Sequence, residues 1–234
     1  MQTPGGWKQL GSDPLIAVFE YSFGPGTASA LVAGVDGGVI VVSPPCRVAA
    51  SVLDAVAALG TVRALVASNA FHHLGLAAWK ARFPDAQIFA PAQSIGRVAA
   101  RTGLSGIRPV AEAGAICGDR VTLTDMPHYK TGEALVRVRA ADGLAWYVTD
   151  VIMNLRELPA HPIARFAFRV TGSAPGLRMN RIAPLFMVKD HVALRRWLRT
   201  EADRDPPRWL IPAHGDAVDL SATPTRLRDL FGSN

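Results

Sequence analysis

The sequence predicts an α+β fold in which two β-sheets pack face to face with helices on their outer sides. Three observations predict it. Strand-like segments come in two blocks, each followed by helical segments. Those strands are short apolar runs, the pattern of strands covered on both faces. No internal repeat or low-complexity linker divides the chain, so residues 1–234 read as one domain made of two similar halves.

The elements follow in order. Ile16–Phe23 mixes β-branched and aromatic residues and reads as a strand. Ser29–Val35 and Val39–Ser43 are apolar runs joined by Asp36-Gly37-Gly38, a hairpin signal, and Pro44-Pro45 stops the second run. Between Arg47 and Leu59, residues Val48, Val52, Leu53, Val56 and Leu59 recur at helical spacing, and Gly60 ends that helix. Val62–Ala67 reads as a buried strand, Leu74–Phe83 as a helix, Pro84-Asp85 as a turn and Gln87–Ala90 as a strand, with a further helix ending near Thr102.

The middle returns to strands at Arg120–Asp125, Ala134–Ala140 and Leu144–Thr149, the last two joined by the turn Ala141-Asp142-Gly143. From Asp150 to about Lys189 the pattern suits short helices or a lid. Asp190 has the chemistry of a helix N-cap, for a helix that runs to about Asp203 and is broken by Pro206-Pro207. Trp209–Ile211 is a last strand, and Thr223-Pro224 opens a terminal helix.

Composition bounds the function. Hydrophobic residues make up 49% of the chain, enough for a sizeable core. No apolar stretch reaches the roughly 18 residues of a membrane span. The segment Met1–Lys8 lacks the charged head and apolar run of a secretion signal, and the 2 cysteines, Cys46 and Cys117, read as buried thiols. A cytoplasmic protein with no membrane partner is expected. The net charge of +6 is placed largely in Arg195, Arg196, Arg199, Arg226 and Arg228, on solvated helix faces. No basic run interleaved with aromatics offers a nucleic-acid platform.

Chemistry concentrates at strand ends. His72 and His73 stand side by side after Val62–Ala67, Asp150 directly follows Leu144–Thr149, and His214 follows the last strand. His128 follows Arg120–Asp125 and could join them. Loops leaving one end of a sheet can bring such groups within the roughly 2 Å bonding reach of a divalent ion. Without a metal, the same residues serve as helix-capping and turn residues. His161 and His191 read as ordinary surface histidines, and Trp79, Phe83, Trp197 and Trp209 as core.

This order and spacing resembles the metallo-β-lactamase superfamily, whose signature His-x-His-x-Asp-His precedes a lone His, an Asp and a final His. Ser68 and Ala70 fall where the first two signature histidines stand, His72 where the Asp stands, and His73 on the last His. Asp150 matches the bridging Asp and His214 the final His, while His128 or Tyr129 takes the lone-His place. Within the superfamily, Asn69, His72 and His73 followed by Trp79 and Phe83-Pro84-Asp85-Ala86 are similar to the uncharacterised DUF4336 branch.

The resemblance implies a four-layer αββα sandwich that has lost its first metal. It implies zero or one divalent metal, zinc or else iron or manganese, at the second position. The candidate ligands are His72, His73, Asp150 and His214. The preferred trio is His73, Asp150 and His214, with His72 as a further ligand or an acid/base group. Ser68, Asn69, His128 and Tyr129 would line the vacated half. The implied activity is a mononuclear hydrolase of a small ester, lactone, thioester or phosphoester, with His72 or His128 moving protons. The competing expectation is a non-catalytic descendant that binds a ligand or partner on the old site.

Overall fold

Apolar residues at every second strand position on both faces demand cover on both faces. The computed structural model, which describes residues 4–24, 26–223 and 225–232, supplies that cover with two sheets and two helical layers. Pro224 and Met1–Thr3 lie outside the described residues, and with them parts of the expected terminal-helix start and the N-terminal reading.

The first sheet runs β1 (Lys8–Ser12), β2 (Leu15–Ser22), β3 (Thr27–Val35), β4 (Gly38–Val42), β5 (Val62–Val66), β6 (Gln87–Ala90) and β7 (Ile107–Pro109). It is antiparallel through β4 and parallel from β4 to β7. The switch follows the helices, because a parallel neighbour needs a crossover. Those crossovers are α1 (Ala50–Ala57), α2 (Leu76–Arg82) and α3 (Ile95–Thr102), with the short α4 (Gly114–Cys117) leading into the second half.

The second sheet has the ladder order β8 (Val121–Asp125), β9 (Ala134–Ala140), β10 (Gly143–Val148), β13 (Trp209–Pro212) and β14 (Val218–Asp219). Between β10 and β13 the chain forms a small separate hairpin, β11 (Ile152–Leu155) with β12 (Gly176–Met179). It also forms the helices α5 (Pro162–Thr171), α6 (Ala183–Met187) and α7 (His191–Arg204). The chain ends with α8 (Arg226–Phe231).

Alternation sorts side chains between cores. In β4, Ile40 and Val42 face the second sheet, where they meet Val136, Val138 and Tyr147. Val39 and Val41 face the other way, toward Val52 and Val56 of α1 and Leu76 and Trp79 of α2. On the far side of the second sheet, Trp146 and Leu210 pack on Leu194 and Leu198 of α7 and Phe231 of α8. The layers are therefore helix, sheet, sheet, helix.

Several expectations are refined. The helix expected from Arg47 begins at Ala50, since Arg47 has φ 55° and cannot start a right-handed turn. The edge strands β1 and β7 were not expected, because their half-buried residues carry no clear alternation. The segment after Asp150 holds short helices as expected, and also the hairpin β11–β12. Asp190 caps α7 through hydrogen bonds donated by the Val192 and Ala193 amides.

Candidate metal centre

The site grows out of three strand ends. β10 and β13 are parallel neighbours, so the residues after them, Asp150 and His214, leave the sheet at the same edge. β5 ends across the sandwich, and its continuation, residues 67–75, turns into α2. That turn is shaped by Asn69, whose Oδ1 accepts from the Phe71 and His72 amides at 2.8 and 2.9 Å. A short polar side chain folding back onto its own backbone is what lets the chain reverse here. The turn must also pass close to Pro44 and Pro45. A Cβ at Gly75 would lie 2.2 Å from the Pro44 carbonyl oxygen, so only glycine fits.

Asn69 also reaches across to the second sheet. Its Nδ2 donates to Asp150 Oδ2 at 2.6 Å and to Thr149 Oγ1 at 3.2 Å. Oδ1 of Asp150 then faces two imidazoles. His214 Nε2 is 3.2 Å away and His72 Nε2 is 3.8 Å away. One ligand atom from each of the three residues lies within 4.8 Å of the other two.

Tautomers follow from the hydrogen bonds. His214 Nδ1 lies 2.9 Å from the Thr27 carbonyl oxygen, which can only accept, so Nδ1 carries the proton. In the neutral ring, Nε2 then turns its lone pair on the carboxylate. Two acceptors at that distance repel unless a proton or a cation sits between them. A backbone carbonyl on the far nitrogen is also the usual support for a metal-ligating histidine. His72 has no such support, since its buried Nδ1 has no partner among the described residues.

Ionisation states reflect the same crowding. Burial alone would raise the Asp150 pKa, but the hydrogen bond from His214 and the charges of the nearby His72 and His214 hold it well below the usual carboxylate range. Burial disfavours charge on His214, yet its hydrogen bond to Asp150 and that carboxylate's charge raise its pKa. Behind them lies Glu133, completely buried, accepting the Asp150 and Val151 amides at 3.0 and 3.1 Å. Burial first, then the Asp150 charge, lifts its pKa to about 8. Tyr129 beside it is raised well above its ordinary value, chiefly by burial.

The structure brings three of the expected residues together: His72, Asp150 and His214. Of the preferred trio, Asp150 and His214 lie in this cluster, and its third member is His72, the further ligand or acid/base group of the expectation, and not His73. The Asn69-capped turn sends these neighbours apart, and His73 is buried on the side of Arg97 and Arg101 of α3. Burial, followed by those cations, lowers its pKa against a hydrogen bond to the Ala70 backbone. His128 does not join this cluster. It is exposed, with φ 66°, and sits beside the capping carboxylate of Asp190. Ser68 and Tyr129 are buried, Ser68 Oγ lying 2.6 Å from Ser43 Oγ. Cys46 and Cys117 are buried free thiols.

Glu133 escaped the sequence reading. It is the one acid between Asp125 and Asp142, just before an apolar strand, and that faint signal is the only one it leaves. The aromatic walls of the site were equally illegible. A cavity of about 290 Å³ opens onto the trio, lined by Tyr21, Phe23, Phe71, Leu74 and Met187. Its size sits at the small end of ligand sites, and its polar groups converge at one end.

No protein-family model and no curated protein matches this sequence. Solved structures do. The chain is similar to a metallo-β-lactamase from Pontibacter korlensis, at 11% identity and TM-score 0.61, over 97% of this chain and 99% of that one. A metallo-β-lactamase from Hirschia baltica aligns at 14% identity and TM-score 0.58, over 96% of both chains. A mutant flavo di-iron protein from Thermotoga maritima aligns at 14% identity and TM-score 0.64. There the alignment covers 96% of this chain but 60% of the other. The fold is that of the metallo-β-lactamases.

Proposed function

We propose that this protein is a hydrolase that works with one divalent metal held by His72, Asp150 and His214. The observation that carries this reading is the convergence of two imidazole nitrogens and one carboxylate oxygen, with the His214 tautomer set by the Thr27 carbonyl. The donor set fits a zinc-like ion: nitrogen and oxygen ligands, three in number, with room for a further position. Such an ion supplies Lewis-acid polarisation of a carbonyl or phosphoryl oxygen and lowers the pKa of water.

The remaining work falls to the chain. Asn69 occupies Asp150 Oδ2, so only Oδ1 is turned toward the ligand position. Thr27 holds His214 in the productive orientation. Tyr21, Phe23, Phe71, Leu74 and Met187 bind an apolar acyl or alkyl portion and exclude water around it. A small ester, lactone, thioester or phosphoester with one apolar arm suits this wall.

Elemental analysis of protein purified without chelator tests the reading. Close to one equivalent of zinc, iron or manganese is expected, lost in His72→Ala and His214→Ala and kept in His73→Ala. Metal below about one-fifth of an equivalent, with no gain on reconstitution, would defeat it and leave a ligand-binding descendant of the fold.

A further inference from the structure

The segment between β10 and β13 contains a face that the candidate metal site does not use. Helix α5 buries no residue. Its 3.6-residue turn directs Ala164, Ala167, Phe168 and Thr171 toward the body of the protein. Ile163, Phe166 and Val170 form a row on one outer flank, and Arg165 and Arg169 form a row on the other. Leu185 and Phe186 of α6 are exposed as well. These five hydrophobic side chains are between 61% and 75% exposed.

The two helices are joined by more than composition. Arg181 Nη1 donates to the Thr171 carbonyl at the end of α5. The same arginine lines a second cavity of about 290 Å³ together with Met179, Leu185, Leu194, His191 and Arg195. This cavity has an apolar wall and a cationic rim. Between Glu157 and Asp190 the sequence holds Arg165, Arg169, Arg178, Arg181 and Lys189 and no acid. Among the described residues Arg165, Arg169, Arg178 and Arg195 form no ion pair, although arginines elsewhere on the chain are paired with carboxylates.

Against the expectation of no membrane partner, which rested on the lack of a spanning segment, we infer that this face, α5 with α6 and the arginine-rimmed cavity between α6 and α7, lies on an anionic lipid surface. Adjacent apolar and arginine rows on one surface helix are the arrangement that seats in the headgroup region of a bilayer. The charge selects the occupant. A second copy meeting this patch across a two-fold axis would set arginine against arginine. A nucleic acid would leave the exposed phenylalanines and isoleucine in water. Anionic headgroups answer the arginines, and the acyl region beneath them answers Ile163, Phe166 and Phe186. No described helix is long and apolar enough to cross a membrane, so the contact is a surface one. The inference stands independently of the metal centre, although Met187 of α6 places that site's cavity beside this face.

Sedimentation of the full chain with phosphatidylcholine vesicles, with and without about one-third phosphatidylserine, tests it. Binding is expected to the phosphatidylserine vesicles, weakening with added salt, and not to phosphatidylcholine alone. Each arginine removed should weaken binding about fivefold, so Arg165→Gln with Arg169→Gln should cost on the order of 25-fold. Phe166→Ser should also weaken it, and Phe166→Trp should shift its emission to the blue on phosphatidylserine vesicles. These side chains are exposed, so unchanged melting temperatures are expected for the variants. Equal behaviour on both vesicle types, or binding indifferent to Phe166→Ser, would overturn the inference. Binding to polyglutamate but not to vesicles would overturn it in favour of an acidic polypeptide.

Discussion

Replacing Asn69 by alanine should damage stability and metal affinity together. The side chain is fully buried and makes four hydrogen bonds. Three are neutral, to Thr149 Oγ1 and from the Phe71 and His72 amides, each worth about 1 kcal/mol net. The fourth goes to the Asp150 carboxylate and is worth about 2 kcal/mol. The sum is about 5 kcal/mol. Phe71 and His72 border the cavity, where water can recover part of the loss, so the expected cost is about 3–5 kcal/mol. That is a large share of the roughly 5–15 kcal/mol by which domains are stable. Urea unfolding should show it as a lower midpoint with an unchanged slope. Zinc affinity should fall about 10–100-fold, as for other residues that orient metal ligands. Ser68→Ala is the control: it removes one hydrogen bond, to Ser43, should cost about 1 kcal/mol and should leave zinc binding alone. A loss below about 1 kcal/mol for Asn69→Ala, or an unaltered zinc affinity, would refute the view of Asn69 as the clamp between the two sheets.

Three further outcomes are expected. Gly215→Ala should destabilise by about 3 kcal/mol or more in thermal unfolding, because φ is +106° and the new Cβ would sit 1.9 Å from the Asn154 carbonyl oxygen, forcing β11 away from the His214 turn. Glu201→Ala should cost about 3 kcal/mol, since it leaves Arg137, which it pairs across the layer between α7 and β9, buried without its counter-charge; Arg137→Met with Glu201→Leu should recover most of that loss in denaturant titrations. Asp190 titrates below its ordinary value, chiefly because the Ala193 amide bonds the carboxylate, with a smaller part from the Val192 amide. A depressed folded pKa means that its contribution is fully present above about 3.9 and is lost as pH falls through the folded value. The stability gap between the wild type and Asp190→Ala should therefore close on acidification, and a gap that widens would contradict the cap.

The legible part of this chain is the part written in local pattern. Short apolar runs located β2 to β6 and β8 to β10, because burial on two faces leaves an unbroken apolar trace. Turn chemistry marked the Asp36-Gly37 hairpin and the Asp190 cap. Strand ends followed, and with them Asp150 and His214, the two landmarks whose backbone position alone nearly determines where they stand. The edge strands β1 and β7 were not legible, since Lys8–Ser12 does not set apolar against polar residues in alternation and Ile107–Pro109 is too short to show any.

The choice within the histidine pair lay beyond local pattern. His72 and His73 share the same turn, composition and sequence distance from every partner, and one residue of rotation decides which reaches the carboxylate. That rotation is set by Asn69, anchored to Thr149 and Asp150 some 81 positions away, and by the close passage of Gly75 over Pro44. The placement of His128 and Glu133 was hidden for the same reason, one being exposed and the other buried behind Asp150. The order of apolar runs and helical segments in the chain determined the sandwich and the rim on which a metal can be held. Contacts between residues far apart in sequence decided which side chains face it, because side-chain direction depends on packing that no local window of sequence contains.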